Sequence, residues 1–552
     1  MCIRDRLDRL ATVREIAQIG ATLGREFSYE LLRAVSPLPE DTLQQGLKQL
    51  VEAELVFQSG IPPQARYLFK HALVQETAYQ SLLKSRRQQL HQQVAQVLVE
   101  QFPQTVETQP ELVAHHYTEA GLIGQALPYW QRAGERATER SAYVEAVAHL
   151  TRGLELLKTL PDTPECAQQE LTLHIALGPP LQYTKGYSAS EVEKTYSRAV
   201  VLCRQVGETP LLFSALFGLY GVYHVRAEYH KARVHAEQLL HLAENVHDPA
   251  LLMTGHSTLA YVLSWLGELT AARAHFEQGL AWHDPQQPVP RSVESLSQLA
   301  QVLWYLGYPD QALGRARESL AVARQLSLPF HVAYALHYTD VLHYYRREEW
   351  AAQEQAEAAM TLCREHGIPF WLGWATLFQG ATLTAQGQGE VGIKQIHQGF
   401  ETLRPTGAKG AWTSALALLA RAYEQVGQAE AGLSVLTEAL EVVHKTGERF
   451  QEAELYRLKG ELTLQSSVQR LESRVKAAEE CFSKAIEISQ CQQAKSLELR
   501  AATSLARLWQ QQGKREEAHK LLSDIYNWFT EGLDTKDLQE AKALLEELKV
   551  RS

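Results

Sequence analysis

Few residues of this chain stand in a pattern that could perform chemistry. Gly513-Lys514 is followed by Arg515 and lacks the first glycine of a G-x-x-x-x-G-K-[ST] phosphate loop, and neither H-E-x-x-H nor G-x-S-x-G occurs. His115-His116 could suggest a metal, but no further ligand stands at helical spacing, which favours packing or surface histidines. The six cysteines form no C-x-x-C pair and stand at positions 2, 166, 203, 363, 481 and 491. The sequence therefore predicts neither a catalytic site nor a metal site.

The overall charge and hydropathy exclude two classes of partner. The 552 residues carry 54 Lys and Arg against 64 Asp and Glu, a formal net charge of −10, whereas a protein that coats nucleic acid is strongly basic. The longest charge-free stretches, 209–225 and 367–389, contain too many polar residues for a lipid-facing helix of about 20 apolar residues. We therefore expect no nucleic acid and no membrane as partner. The cysteine usage favours a reducing, cytoplasmic location.

The elements that could position a site are set by an internal repeat of forty residues. Every fortieth residue from 232 is small, and the residue eight positions later is large and apolar, so both fall on one helical face. The small residues are Ala232, Ala272, Ala312, Ala352, Gly392 and Gly432. A second helix precedes each of these, and prolines at 249, 285, 329 and 369 mark the unit boundaries, where a helix must stop.

This spacing of large and small residues resembles the tetratricopeptide repeat, although the unit has 40 residues instead of about 34. The resemblance implies an all-α, right-handed superhelical solenoid of about ten helical hairpins over residues 110–535. Gly178-Pro179-Pro180 is expected to break one helix of this array. A capping helix is expected over 536–552, where Asp537 and Glu540 have the spacing of a capping box.

The segment before the repeats has a different pattern. Helical patterns cover 11–23, 28–35 and 40–53, and two strand-like runs follow at 55–58 and 66–69. Three helices and a two-stranded wing describe a winged-helix domain, which we place at 7–85. A long helix from His71 to about Gln101 should join this domain to the repeats, with 86–109 as the connecting helix. The third helix and the residue after it carry a net charge of −3, from Glu40, Asp41, Lys48, Glu52 and Glu54. A negative helix is repelled by the DNA phosphates, so we do not expect this domain to read DNA.

Both ends of the chain resemble a family of bacterial signalling proteins. The run from Phe69 to Tyr79, with Gly24–Leu32 before it, looks like the winged-helix end of signal-transduction ATPases with numerous domains. The runs 506–518 and 528–538 look like the C-terminus of proteins that fuse a class III adenylate/guanylate cyclase, a P-loop ATPase and a tetratricopeptide array. The resemblance implies that the cyclase and ATPase domains lie upstream of residue 1. It also implies that ATP or ADP is a cofactor of those domains and not of this chain.

His71 is the one residue to which the resemblance assigns a nucleotide contact. In the wider ATPase superfamily a Met-His-Asp motif starts the helix after the wing, and its histidine contacts the β-phosphate of ADP. Lys70-His71-Ala72 occupies that place, with alanine instead of aspartate. The alternative is a histidine that packs against the wing.

A partner-binding groove is expected on the first helices of four consecutive repeats. In tetratricopeptide arrays the concave groove is lined by first-helix positions that point away from the paired second helix. The same positions of this chain form a stripe rich in Trp and Tyr, which are enriched at interface hot spots. The stripe comprises Tyr261, Trp265, Gln301, Trp304, Tyr305, Tyr334, His337, Tyr344, Tyr345 and Trp374. The alternative is that large rings act only as spacers between helices. Accessible ring surface would favour the groove, and nearly complete burial would favour the spacers.

The function that we expect is a non-catalytic interaction or sensor module of a multidomain regulator. Its partners would be a protein or peptide in the concave groove and the ATPase and cyclase domains of the same polypeptide. One alternative is a fragment of a nucleotide cyclase or ATPase whose catalytic part precedes residue 1. Another is the solenoid sensor of a transcription activator.

Overall fold

The computed structural model describes residues 11–549, apart from 208, 285, 408 and 469. Its described residues form twenty-eight α-helices, one short 3-10 helix (Arg404–Thr406) and three strands, which confirms the all-α class. The strands are β1 (Glu26–Ser28), β2 (Val56–Ser59) and β3 (Arg66–Phe69). The helices are α1 (Ala11–Leu23), α2 (Tyr29–Val35), α3 (Glu40–Glu52), α4 (Ala72–Gln80), α5 (Lys84–Gln101), α6 (Pro103–Thr108), α7 (Pro110–Glu119), α8 (Ile123–Glu139), α9 (Tyr143–Leu157), α10 (Pro164–Lys185), α11 (Ser190–Val206), α12 (Thr209–Val225), α13 (Tyr229–Val246), α14 (Pro249–Trp265), α15 (Leu269–Leu280), α16 (Pro290–Tyr305), α17 (Pro309–Leu326), α18 (Pro329–Arg346), α19 (Glu349–His366), α20 (Pro369–Ala385), α21 (Gly389–Leu403), α22 (Trp412–Gln425), α23 (Ala429–Thr446), α24 (Glu452–Gln465), α25 (Leu471–Gln492), α26 (Lys495–Gln511), α27 (Arg515–Tyr526) and α28 (Lys536–Leu548).

The described residues cluster into two compact units. The first holds residues up to 185 together with 194–212, and the second holds 186–193 together with 213–549. In the first unit, α1–α3 and the two predicted strands lie where the sequence placed them. A third strand, β1, adds to them and gives an antiparallel sheet of order β1-β3-β2. Residues 7–10 of the predicted domain lie outside the described part of the chain.

One hydrophobic core runs through this N-terminal segment and into the helices after it. Ile16, Leu47 and Phe69 share it with Val94 of α5 and Val113 of α7, and all five side chains are fully buried. The core therefore continues across residue 85.

The predicted long helix from His71 to Gln101 is wrong, because the chain breaks between α4 and α5. Leu83 has extended backbone angles (φ −63°, ψ 146°) and begins α5. The Ser81 hydroxyl donates to the Ala78 carbonyl at 2.7 Å and accepts a hydrogen bond from Gln18 at 2.8 Å. Local side-chain bonds of this kind compete with helix continuation, and the break lets Leu82 turn into the core.

Two further local predictions also fail. Pro179 and Pro180 do not break their helix, because α10 continues through both and buries Leu177 and Leu181 on either side. The capping box at the start of α28 does not form: its N-cap, Thr535, makes no side-chain cap bond. Asp537 and Glu540 instead bind arginines of other helices.

In the second unit the forty-residue repeat is a series of helix pairs. The first helices of three pairs start at Pro249, Pro329 and Pro369, as predicted, whereas Pro285 lies outside the described residues and α16 starts at Pro290. The small repeat positions are fully buried where two helices cross. At Gly392 a Cβ atom would lie 2.4 Å from the carbonyl oxygen of Gly380, so only glycine permits this approach.

Later repeats of the second unit return to the ends of earlier helices. The last carbonyl groups of a helix have no partner inside it. Here four such carbonyls, spaced by about one repeat, accept hydrogen bonds from groups much further along the chain. The pairs are Val225 with the Lys409 amide (3.2 Å), Trp265 with the Arg449 amide (2.8 Å), Trp304 with the Ser496 hydroxyl (2.5 Å) and Tyr345 with the Arg500 guanidinium (2.6 Å). The inner face of the unit is therefore covered by the unit itself.

Candidate functional site

The ten predicted groove residues all line the inner face of the second unit, where the structure brings them together. Seven of them surround a cavity of ≈ 220 Å³, which we call the aromatic cavity. Trp304, Tyr305 and Tyr344 line a narrow pocket of ≈ 20 Å³, and Tyr345 lines both spaces. The aromatic cavity is lined by His224, Val225, Tyr261, Trp265, Gln301, Tyr334, His337, Tyr338, Val341, Tyr345, Phe370, Trp371, Trp374, Phe378, Gly410, Ala411, Ser414 and Phe450.

Most of these side chains are buried and do not face an open groove. Only Tyr261 and Gln301 among the ten keep partial exposure. Trp265 and Tyr345 retain 8% and 7% of their surface, and Trp304 retains 3%. This burial is what the spacer interpretation expects. It arises because later repeats cover the inner face, as when Phe450 packs edge-on against Trp265 with ring centroids 4.7 Å apart.

The narrow pocket is held by a small hydrogen-bonded group. Gln451 donates to the hydroxyls of Tyr305 and Tyr345 at 2.7 and 2.6 Å, and the Tyr305 hydroxyl donates to that of Tyr345 at 3.1 Å. The Trp304 ring stacks on Tyr345 with centroids 4.6 Å apart, and the Arg500 guanidinium lies over Trp304. The Tyr305 and Tyr345 hydroxyls and the Gln451 amide are all hydrogen-bonded, as polar groups of a packed protein interior are.

The aromatic cavity differs because several nearby ring nitrogens have no partner. Four residues that line it have a buried ring nitrogen without a hydrogen bond in the described part of the chain: His224, Trp265, His337 and Trp371. A buried polar group that is left unpaired typically costs about 1–3 kcal/mol. The indole N–H groups of Trp265 and Trp371 can only donate, so an acceptor is the group they lack.

The wall of the aromatic cavity is electrically neutral. Among its described lining residues none is an Asp, Glu, Lys or Arg. Burial lowers the pKa of His224 to about 4 and the pKa of His337 to about 3, so both are uncharged at neutral pH. Burial also raises the pKa of Tyr261 and Tyr334 well above the ordinary value for a phenol. An ion entering this space would meet no counter-charge.

A second chamber, of ≈ 250 Å³, is strongly charged, and we call it the charged chamber. Its walls are formed by arginines and acids from α18 to α28: Arg347, Arg421, Arg457, Arg500, Arg507, Glu424, Glu461, Asp537 and Glu540, with Gln425, Thr503 and Ser504. Arg500 pairs with Asp537 at 2.7 Å and Arg347 pairs with Glu540 at 2.8 Å. Partial burial acts to raise the pKa of the Asp537 carboxyl, but Arg500 and Arg347 outweigh it and hold this pKa below its usual value.

Sequence reasoning missed two buried acids. Glu448 accepts hydrogen bonds from the Tyr229 hydroxyl at 3.2 Å and from the backbone and hydroxyl of Thr413, and burial raises its pKa to about 7. Neither carboxylate oxygen of Asp340 has a partner in the described part of the chain, and burial raises its pKa well above the usual value. Asp340 had a signal in the sequence, because the corresponding positions of neighbouring repeats hold Ala300 and Gly380.

Several wall residues of the aromatic cavity were also missed. Tyr338 and Trp371 lie on the same helices as the predicted stripe, so the helical period could have found them. Phe450 comes from the loop before α24, nearly two hundred residues after Trp265, and no local pattern indicates that approach.

The histidines that were singled out lie in the first unit. His71 is exposed, precedes α4 as its N-cap residue and makes no side-chain cap bond. His116 is buried and its Nδ1 lies 2.8 Å from Nδ1 of His91, which in turn bonds the Tyr79 hydroxyl at 2.8 Å. Burial lowers the pKa of His91 to about 4 and that of His116 to about 3, which makes them neutral packing groups. Within the described residues, no group of three or more His, Cys, Asp or Glu side chains is arranged to hold a metal ion.

Comparison with known proteins agrees with the repeat architecture. Residues 293–333 match the family model for the tetratricopeptide repeat. An uncharacterized protein of Rhizobium meliloti (strain 1021) is 25% identical over 518 residues, which cover 92% of this chain and 50% of that protein. The chain therefore spans about half the length of this curated relative.

Two solved structures are similar to parts of this chain. A Rap protein complexed with competence and sporulation factor has a TM-score of 0.51 at 14% identity, covering 67% of this chain and 98% of that one. A signal-transduction ATPase with numerous domains and a tetratricopeptide repeat sensor, from Pyrococcus horikoshii, has a TM-score of 0.35 at 13% identity, covering 98% of this chain and 65% of that one. The likeness to the Rap protein shows the fold, a tetratricopeptide-like helical solenoid.

No helix in the described ranges combines the length and apolar character that crossing a bilayer requires.

The inner face of the second unit has the features of a binding site. It has aromatic walls, ring nitrogens without a partner among the described residues, and a chamber of paired charges.

Proposed function

We propose that this chain is the non-catalytic sensing and interaction half of a cytoplasmic, multidomain signal-transduction regulator. One observation carries the proposal: successive repeats direct their first helices to one shared interior, which contains a cavity with unpartnered ring nitrogens around it. A repeat array selected for stability alone has no use for such a space, because cavities and unpaired polar groups destabilise. The chain spans about half the length of its relative, which supports a longer parent protein.

A protein or peptide partner is part of this proposal. A solenoid of this kind offers an extended surface for a polypeptide, and the Rap protein of similar fold is complexed with competence and sporulation factor. On this chain the accessible part of the inner wall is its partly exposed rim. Tyr261 and Gln301 belong to this rim, as do His224 and Phe370. The buried members of the predicted stripe would support the rim from behind.

The ATPase and cyclase domains of the same polypeptide are the proposed effectors. Their test begins with the genomic DNA upstream of Met1, which should encode an in-frame phosphate loop and a cyclase domain. The full-length protein and a version that ends before residue 11 should then differ at least threefold in ATP hydrolysis. Equal rates would contradict a regulatory role for this half.

His71 is the proposed contact of this chain with ADP bound to that upstream ATPase domain. Its exposure at the start of α4, beside backbone N–H groups, suits a phosphate. In the full-length protein, His71→Ala should weaken ADP binding and raise basal activity. His115→Ala, which changes a histidine elsewhere in the first unit, is the matched control. Unchanged ADP affinity in His71→Ala would end the idea.

A further inference from the structure

The size, charge and polar atoms of the aromatic cavity limit the class of ligand that it can bind. Its volume of ≈ 220 Å³ exceeds the roughly 150 Å³ at which an apolar protein cavity accommodates one benzene molecule. A compound with two fused rings is therefore the largest rigid occupant that the space suits. A folded protein surface cannot reach the buried rings at all.

The charge of the wall selects against ions. None of the described lining residues has a formally charged side chain at neutral pH, since His224 and His337 are both held neutral by burial. A carboxylate or phosphate would lose its hydration without gaining a counter-ion. A quaternary ammonium could lie against the rings through cation–π attraction, but it offers no acceptor to the nitrogens around it.

The unpartnered nitrogens select for a hydrogen-bond acceptor. Trp265 and Trp371 each have a buried indole N–H that makes no bond within the described chain. Their exposed fractions are 8% and 6%, so water does not satisfy these two donors. The imidazoles of His224 and His337 add two further unpartnered nitrogens. An occupant that carries a carbonyl group or a ring nitrogen supplies the missing acceptor.

The rings also set the shape of the occupant. His337 lies against Trp371 and Trp374 with centroid distances of 5.2 and 5.9 Å, and Phe378 approaches His337 at 5.5 Å. Tyr334 meets Trp371 edge-on at 5.0 Å. Flat aromatic faces and edges pack best against another flat ring, in offset-stacked or edge-to-face geometry.

We propose that the aromatic cavity binds a small, uncharged, planar aromatic molecule of one or two rings that carries a hydrogen-bond acceptor. This inference goes beyond the proposed function, since it concerns a small molecule in the interior and not a polypeptide at the rim. Trp265 and Trp371 donate to the acceptor, and the surrounding rings stack on its faces. The bound molecule joins the walls of α14, α18 and α20 to Phe450, which later repeats contribute.

Isothermal titration of the purified chain with indole-3-carbaldehyde tests the proposal. This probe is neutral, has two fused rings and carries a carbonyl acceptor. We expect saturable 1:1 binding that is at least tenfold tighter than the binding of naphthalene, which lacks the acceptor, and of indole-3-carboxylate, which is charged. Tetramethylammonium and N-acetylphenylalaninamide represent a cationic ligand and a peptide side chain. If either of them, or naphthalene, binds as tightly as the aldehyde, the proposed ligand class is wrong.

Variants locate the site. Trp371→Phe keeps the ring and removes the N–H donor, so it should weaken binding of the aldehyde at least fivefold. Trp350→Phe makes the same change at a ring that is 79% exposed and outside the cavity, and should leave binding unchanged. Val341→Phe fills the cavity and should abolish binding; its circular dichroism spectrum and melting temperature show that it is folded. A Val341→Phe protein that folds and still binds the aldehyde overturns the proposal. Equal ATP hydrolysis with and without this chain, together with intact probe binding, would count against the proposed function alone.

Discussion

At the scale of single residues, buried acids are the most informative groups of this chain. Glu448 is fully buried, and its pKa is raised from the ordinary 4.5 to about 7. The native state therefore binds a proton that the unfolded chain has already released between these two pH values. The contribution of Glu448 to the free energy of unfolding is therefore fully present below about pH 4.5. It is lost as the pH rises from 4.5 to 7 and does not change further above pH 7.

Replacing this carboxyl gives the first prediction. Glu448→Gln cannot ionise; it keeps one acceptor oxygen for Thr413 and presents its N–H to the Tyr229 hydroxyl, which can accept. The natural protein should lose about 3 kcal/mol of unfolding free energy between pH 4.5 and pH 8 that the variant does not lose. Urea unfolding at the two pH values measures this difference. Glu441→Gln, at an exposed position of α23, is the control and should show no such change. An identical pH dependence in Glu448→Gln and the natural protein would refute the assignment.

Asp340 gives the second prediction. It occupies a repeat position where Ala260, Ala300 and Ala420 stand in other units, and its buried carboxyl has no hydrogen-bond partner among the described residues. Asp340→Ala should therefore stabilise the chain by about 1–3 kcal/mol, measured by urea unfolding at neutral pH. Asp248→Ala is the contrasting variant: Asp248 caps α14 through the Leu251 amide at 2.9 Å, so its loss should destabilise by about 1 kcal/mol. A destabilised Asp340→Ala protein would show that the acid has a partner in solution.

At the scale of elements, arginine pairs tie helices that are far apart in sequence. Arg500 of α26 is 9% exposed, binds Asp537 at 2.7 Å and donates to the carbonyl of Tyr345 at 2.6 Å. Arg507, two turns further along the same helix, binds Glu540 at 3.0 Å but remains half-exposed. Solvent screens the second pair and not the first.

The third prediction contrasts these two arginines. Arg500→Leu should destabilise the chain by about 3 kcal/mol, because it leaves the partly buried Asp537 with only the longer contact to Arg347. Arg507→Leu should change stability by less than about 1 kcal/mol. The midpoints of urea unfolding decide between them. Equal effects would mean that burial does not distinguish the two pairs.

At the scale of the whole molecule, the segment after α27 closes the second unit. Glu531 accepts hydrogen bonds from the amides of Asp310 and Gln311 at 2.9 and 3.1 Å, and thus caps α17 from more than two hundred residues away. The Gly532 amide in turn donates to the Asp310 carboxylate at 2.9 Å. A helix whose first amides are satisfied from so far away depends on that distant segment.

The fourth prediction follows from this closure. A chain that ends at Asn527 should show at least tenfold faster amide hydrogen exchange in the first turn of α17 and the last turn of α18. Helices of the first unit serve as the internal control, and their exchange should not change. Unchanged hydrogen-exchange protection in α17 would contradict a capping role for Glu531. A Glu531→Gln variant of the full chain tests that role separately.

The helix pairs of the second unit could be predicted from the sequence alone. The forty-residue period predicted helix pairs with small residues at their crossings, and Ala232, Ala272 and Ala312 are fully buried there. This works because the facing side of a helix is decided by its own spacing of large and small residues. The same local signals gave wrong predictions at two places. At Ser81–Leu83 the helix breaks and Leu82 turns into the core, and at Asp537 the carboxylate pairs with Arg347 and Arg500 instead of capping its own helix.

The closure of the inner face could not be predicted from the repeat pattern. Whether Trp265 and Tyr345 line an open groove or an interior depends on the tilt between neighbouring repeats, summed over several of them. A small change in each packing angle moves distant repeats by many ångströms, and no single unit of sequence specifies the sum. Contacts such as those of Phe450 with Trp265 and of Arg500 with the Tyr345 carbonyl therefore exist only in the folded chain, and they turn a predicted stripe of rings into the walls of a cavity.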